Sequence, residues 1–100
     1  MREIRFDDIA AAVREACIRA NTVLPSDLCG AIRSAREAEE SPVGRAILGD
    51  LEENFTFAAQ RGLPICQDTG MAVVFLELGQ EAHITGGLLE DAVNEGVRRG

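Results

Sequence analysis

A thiol, an amide, a carboxylate and a hydroxyl follow one another in the segment PICQDTG, residues 64–70. Cys66 can act as a nucleophile or a metal ligand, and its neighbours Gln67 and Asp68 can contact a polar substrate. Gly70 lets the chain turn, so that the backbone amides of this segment could point at an anion. No other stretch of the sequence concentrates as many reactive groups, and we expect the functional site here.

Four roles are open for Cys66 on the residues alone. A nucleophilic thiol needs a base, and the only histidine of the sequence, His83, lies well downstream. A zinc ligand needs partners at spacings that the sequence does not contain. An iron–sulfur ligand needs two or three further thiolates, whereas Cys17 and Cys29 fall in predicted helices. The simplest alternative is a buried structural cysteine in a tight turn, and spacing by itself does not decide among the four.

Helical periodicity predicts three helices before this segment, over about residues 8–22, 25–39 and 42–61. Ser41 precedes a proline and is therefore a predicted N-cap of the third helix. Gly62 lies just past its end, where a left-handed residue usually ends a helix.

Several side chains receive structural roles from this pattern. We expect Asp7 or Asp8 to cap the first helix. Cys17 and Cys29 lie on or beside apolar helix faces and are interpreted as packing residues. Asn54 is interpreted as an ordinary residue of the polar face of the third helix.

The periodicity becomes that of strands after Gly62. Residues 71–78 are apolar and rich in β-branched and aromatic side chains, which predicts a strand buried on both faces. A turn and a second strand at residues 82–85 would complete a hairpin-like pair, and residues 88–99 would form a last helix. The predicted fold class is α+β: three N-terminal helices, a two-stranded β segment and a further helix, as an incomplete part of a larger domain.

Composition excludes several classes of function. The net charge of −7 disfavours nucleic acid and anionic membrane surfaces as partners. All ten basic residues are arginine, which excludes Schiff-base chemistry by lysine. The sequence contains no apolar run near the roughly 20 residues that span a bilayer and no apolar leader, so we expect a cytoplasmic protein.

The same motif carries a resemblance to a known family. PICQDTG at residues 64–70, VF at 74–75 and NEGV at 94–97 resemble the N-terminal part of class I fumarate hydratases. The pattern is also similar to that of the alpha subunit of L-tartrate dehydratase. Together with the leading helices, the resemblance covers essentially the whole chain.

The resemblance implies a hydro-lyase of the fumarate hydratase type, which reversibly hydrates a four-carbon unsaturated dicarboxylate at a [4Fe-4S] cluster. It implies that Cys66 is the first of three cluster ligands. It also implies that Gln67 and Asp68 bind the dicarboxylate substrate and that Asp68 takes part in catalysis. Two alternatives remain open: an L-tartrate dehydratase alpha subunit, and a non-catalytic interaction module with the same fold.

Alpha subunits of this family are much longer and carry the other two cluster cysteines further along the chain. We therefore expect residues 1–100 to be the N-terminal portion of the iron–sulfur hydratase alpha-subunit domain. We expect this chain alone to lack the cluster and to be inactive. Its expected partners are a beta subunit or a C-terminal domain, and the expected state is a homo-oligomer.

Overall fold

The computed structural model describes residues 1–68 and 70–100. The chain forms two compact units, Met1–Arg19 with Gly70–Gly100, and Ala20–Thr69. The elements follow in the order β1 Arg2–Arg5, α1 Phe6–Thr22, α2 Ser26–Ala38, α3 Pro42–Arg61, β2 Ala82–Thr85 and α4 Leu89–Arg99. Helices and a short sheet in one chain confirm the predicted mixture of α and β structure. No helix within the described residues is both long and apolar enough to cross a membrane.

The helices lie close to their predicted positions because their ends are encoded locally. The hydroxyl of Ser41 accepts a hydrogen bond from the Gly44 amide at 3.2 Å, and Gly62 ends α3 with a left-handed φ of 64°. The predicted N-cap of α1 is wrong, since the helix already begins at Phe6. Asp7 and Asp8 instead lie in its first turn, where a negative charge interacts favourably with the helix dipole.

The predicted strand at residues 71–78 is wrong. These residues form no regular secondary structure, and the side chain of Phe75 is 94% exposed. Strand propensity reports how well side chains fit a pleated surface, but a strand also requires a neighbour that completes its hydrogen bonds. The apolar composition of residues 71–78 therefore indicates strand propensity but does not predict that these residues pair with another strand.

The second predicted strand is confirmed as β2, but its partner is different. It pairs in parallel with β1, in a register that places Arg2 beside Ala82 and Arg5 beside Thr85. The Arg2 amide also donates to the Glu81 carbonyl at 2.9 Å. The hairpin prediction was wrong because it considered only neighbours in sequence, whereas this parallel pair joins distant segments.

In the first unit, α1 and α4 approach each other at a glycine. Ala10 and Ala92 are fully buried, and Gly96 is buried on the same side of α4. A Cβ atom at Gly96 would lie 2.5 Å from Val13 Cβ and 2.7 Å from the Ala10 carbonyl oxygen. The close contact of the two helices therefore requires the absence of a side chain at this position.

We expect Gly96→Ala to lower the free energy of unfolding by about 1–3 kcal/mol, since the added methyl group overpacks the contact between α1 and α4. Gly30→Ala is a matched control, because a Cβ atom there meets nothing within 4 Å. It should raise stability by about 0.4–1 kcal/mol through its better helix propensity. Urea unfolding followed by circular dichroism measures both, and equal effects of the two substitutions would contradict the close approach.

In the second unit, an ion-pair cluster joins α2 to α3 beside a few buried apolar residues. Phe55 and Ala58 of α3 are buried. Glu52 accepts hydrogen bonds from Arg33 at 3.0 Å and from Arg36 at 3.1 Å, and these bonds lower the pKa of its carboxyl. The Arg33 guanidinium also lies over the Phe55 ring, 5.7 Å from its centroid. One carboxylate thus links two arginines of α2 to α3.

A second charged cluster lies in the last turns of α4. Glu95 accepts hydrogen bonds from Arg98 and Arg99, which lower the pKa of its carboxyl from 4.5 to about 2. Unfolding restores the ordinary pKa, so this pairing stabilises the fold above about pH 4.5 and is lost as the pH falls towards about 2.

We expect Glu95→Gln to destabilise the protein at pH 6 and the difference from the wild type to shrink as the pH falls to about 2, through the pKa of Glu95. Glu53→Gln, at an exposed position in the middle of α3, controls for the loss of one negative charge. Urea unfolding at several pH values measures the difference, and carbon-13 NMR titration of the Glu95 carboxyl reads its pKa directly. A difference that does not depend on pH would contradict the ion-pair origin.

Candidate functional site

The segment that carries Cys66 begins where α3 ends. The amides of Gly62 and Leu63 both donate to the Ala58 carbonyl, the latter at 3.0 Å. The left-handed conformation of Gly62 turns the chain out of the helix without the strain that a Cβ atom would add. After the turn, Ile65 lies close enough to α3 to accept a hydrogen bond from a side chain of that helix.

Both backbone polar groups of Ile65 are held by residues distant in sequence. Its amide donates to the Asn21 carbonyl in the last turn of α1 at 2.8 Å. Its carbonyl accepts a hydrogen bond from Asn54 Nδ2 of α3, also at 2.8 Å. Carbonyls in the last turn of a helix have no partner within the helix, and Ile65 satisfies one of them. The residue before Cys66 is therefore fixed from two sides.

Cys66, Gln67 and Asp68 follow in non-helical backbone, and all three residues are exposed. The Cys66 thiol lies 3.4 Å from Gln67 Oε1, to which it can donate. The interpretation of Cys66 as a buried structural cysteine is therefore wrong. The structure leaves the thiol, the amide and the carboxylate accessible at consecutive positions, while Thr69 of the same motif lies outside the described residues.

The other two cysteines are half-buried residues of helices. Cys17 lies in α1, where a Cβ atom added at Gly100 would lie 3.0 Å from its Cβ atom. Cys29 lies in α2, and its thiol donates to the Leu24 carbonyl at 3.5 Å. Within residues 1–68 and 70–100, no three His, Cys, Asp or Glu side chains come together in a group that could hold a metal ion. An exposed thiol in irregular backbone suits one thiolate ligand of an iron–sulfur cluster, and Cys66 has both properties.

Two further side chains, His83 and Asn54, bear on the interpretation of the motif. His83, the one histidine that could serve Cys66 as a base, is an exposed residue of β2. Asn54 is not merely a residue of the polar face, since its amide holds the Ile65 carbonyl. The sequence signal for this contact was weak, because asparagine is common on exposed helix faces and the partner lies eleven residues away.

Comparison with known proteins identifies the family. Residues 10–100 match the family described as fumarate hydratase (Fumerase). A putative L(+)-tartrate dehydratase subunit alpha of Methanocaldococcus jannaschii is 31% identical over 94 residues, which cover 93% of this chain and 32% of the relative. The L(+)-tartrate dehydratase subunit alpha of Escherichia coli K12 is 31% identical over 78 residues, covering 75% of this chain and 26% of the relative. No solved structure matches.

The chain therefore belongs to the fumarate hydratase family, as the motif at residues 64–70 predicted. It spans about a third of the length of the first of these relatives and about a quarter of the second.

The exposure of the cysteines predicts their order of modification. Iodoacetamide at pH 7 should label Cys66 in the folded chain, whereas Cys17 and Cys29 should be labelled mainly after unfolding in urea. Peptide mass spectrometry measures the rate at each cysteine. We expect Cys66 to react no faster than a small model thiol, and a much faster reaction would favour the nucleophilic role instead.

Proposed function

We propose that this chain supplies part of the active site of a hydro-lyase that reversibly adds water to a four-carbon unsaturated dicarboxylate, as in the hydration of fumarate to malate. The observation that carries the proposal is the exposed sequence Cys66-Gln67-Asp68, held at Ile65 by two helices, in a chain of the fumarate hydratase family.

Cys66 is the proposed cluster ligand. Its thiolate would be one of three that hold a [4Fe-4S] cluster, and the other two would come from elsewhere in the complete enzyme. When bound, the cluster supplies a Lewis acid that stabilises negative charge on the substrate. The exposure of the thiol and the anchoring of the preceding residue support this role.

Gln67 and Asp68 are the proposed substrate contacts. The Gln67 amide can donate hydrogen bonds to a substrate carboxylate, a role that a neutral donor performs without adding charge. The Asp68 carboxylate can accept a hydrogen bond from a water or a substrate hydroxyl and so orient it for proton transfer. Both side chains are exposed beside Cys66, which supports a shared site.

The family description and the names of the relatives suggest two substrates. The family is described as fumarate hydratase, whereas the curated relatives are named L(+)-tartrate dehydratase subunit alpha. We propose fumarate hydration as the principal activity and L-tartrate dehydration as the second candidate, favoured by the names of the relatives. Each substrate is a four-carbon dicarboxylate. The proposed cluster ligand Cys66 and the proposed substrate contacts Gln67 and Asp68 would therefore serve both reactions.

The expected partner is a beta subunit or a C-terminal domain, and the subunit names of the relatives support the beta subunit. We also propose a cytoplasmic homo-oligomer. The alternative of a non-catalytic interaction module differs in one respect that can be measured: it does not depend on the Cys66 thiol.

A chimera tests the hydro-lyase proposal. This chain would replace the matching N-terminal part of the alpha subunit of the E. coli relative, produced anaerobically with its partner subunit. We expect turnover of L-tartrate or fumarate, and a loss of at least about 100-fold in Cys66→Ser, since even residues that only support metal ligands contribute 10–100-fold. Cys29→Ser is the matched control and should keep most of the activity.

Absorbance of the iron–sulfur chromophore provides a second measurement. The chimera should contain the cluster and its Cys66→Ser variant should not. This chain alone, reconstituted anaerobically with iron and sulfide, should hold no stable stoichiometric cluster and show no turnover. Full cluster content and activity in Cys66→Ser would favour the non-catalytic interaction module.

A further inference from the structure

We propose that Asn54 is a positioning residue that sets the direction in which Cys66 presents its thiol. The contact that carries this inference is the hydrogen bond of 2.8 Å from Asn54 Nδ2 to the Ile65 carbonyl. The restraint on the backbone stands on this geometry alone. Its importance for catalysis rests on the proposed role of Cys66 as a cluster ligand.

The peptide bond explains why this contact acts on Cys66. The Ile65 carbonyl and the Cys66 amide belong to one planar group that also contains the Cα atom of Cys66. Holding the oxygen of this group therefore holds the direction of the bond that leads to Cys66. The side chain of Asn54 acts on the peptide that carries the thiol, although it does not contact the sulfur.

A second hydrogen bond makes the restraint effective. The Ile65 amide belongs to the preceding peptide group and donates to the Asn21 carbonyl at 2.8 Å. With both peptide groups held, rotation about the backbone of Ile65 is restricted on either side of its Cα atom. If the Asn54 contact is lost, the Asn21 contact alone holds Ile65, so the peptide that leads to Cys66 can rotate and the preceding peptide opens more often.

Among the described residues, no packing replaces this hydrogen bond in the segment that follows. Cys66, Gln67 and Asp68 are exposed and lie outside helices and strands. Exposed irregular backbone opens at little free-energy cost unless specific hydrogen bonds hold it. A metal ligand, by contrast, must be held near its productive geometry before the metal binds. Asn54 supplies such a restraint directly before the proposed ligand.

Asn54→Asp removes the donor with almost no change of size, because a carboxylate at pH 7 only accepts hydrogen bonds. Gln60→Glu is the matched control, since it makes the same amide-to-carboxylate change on an exposed position of the same helix. Asn54→Ala removes the donor without adding charge. The variants are made in a chain whose Cys17 and Cys29 are replaced by alanine, so that a nitroxide label reports on Cys66 alone.

Two measurements on the chain without any cluster test the restraint. We expect the nitroxide at Cys66 to become more mobile in Asn54→Asp and Asn54→Ala, and hydrogen exchange of the Ile65 amide to accelerate by about tenfold. The Leu63 amide, which donates to Ala58, should keep its exchange rate. Gln60→Glu should match the parent chain in both measurements.

Lowering the pH should rescue Asn54→Asp. A protonated carboxyl group regains an O–H donor, and an aspartic acid titrates near pH 3.9. The label in this variant should therefore return towards the mobility of the parent chain, measured at the same pH, near pH 3. Unchanged mobility in both Asn54 variants at pH 7 would overturn the proposal, and so would global unfolding of both, since the role would then be general stability.

The chimera separates this inference from the proposed function. Asn54→Asp should lower its cluster content by about tenfold, as for other residues that orient metal ligands, whereas Gln60→Glu should not. If Cys66→Ser keeps the cluster and the activity, the proposed function fails while the label measurements still decide the restraint. If Asn54→Asp loosens the label but leaves cluster content unchanged, the restraint stands and its catalytic importance is overturned.

Discussion

The irregular backbone before Cys66 must find hydrogen-bond partners, and the surrounding helices are arranged so that they provide them. Asn21 offers a carbonyl because α1 ends one residue later, at Thr22. Asn54 offers an amide because α3 continues past it and then ends at Gly62, which turns the chain so that Ile65 reaches it. A helix that ended one turn earlier or later would place these groups elsewhere. The helix ends therefore determine the site as much as the residues of the motif do.

The parts of the fold that the sequence predicted are those encoded by near neighbours. Ser41 and Gly62 fix the ends of α3 through contacts within a few residues, and the periodicity of apolar residues locates the helices. The strand pairing was missed because β1 has only four residues, three of them charged, and its partner lies near the other end of the chain. The strand prediction at residues 71–78 was wrong for the opposite reason. Their strand propensity is strong, but propensity does not supply a neighbouring strand.

The site shows the same division between local and distant information. The reactive groups of Cys66, Gln67 and Asp68 were visible in the sequence because they are consecutive. The exposure of these groups and the hydrogen bonds that hold the preceding Ile65 could not be predicted from the sequence, since both depend on how α1 and α3 end. Asn54 was misinterpreted because a side chain on an exposed helix face carries no sequence mark of the backbone group that it holds.

Because Cys66, Gln67 and Asp68 are consecutive, the hydrogen bonds that hold Ile65 restrict the positions of all three side chains and not of the thiol alone. Three residues of extended chain span about 10 Å at most, so the orientation of the Ile65–Cys66 peptide limits where the side chains of Gln67 and Asp68 can reach. In the proposed enzyme, a cluster ligand and two substrate contacts would share one point of attachment. A small dicarboxylate must be placed relative to both the metal and its hydrogen-bond donors, because effective catalysis requires each to be held in a fixed geometry. A single restrained peptide precedes the three functional residues, so one restraint limits the positions of all three. The reach of Gln67 and Asp68 then follows from their order along the chain.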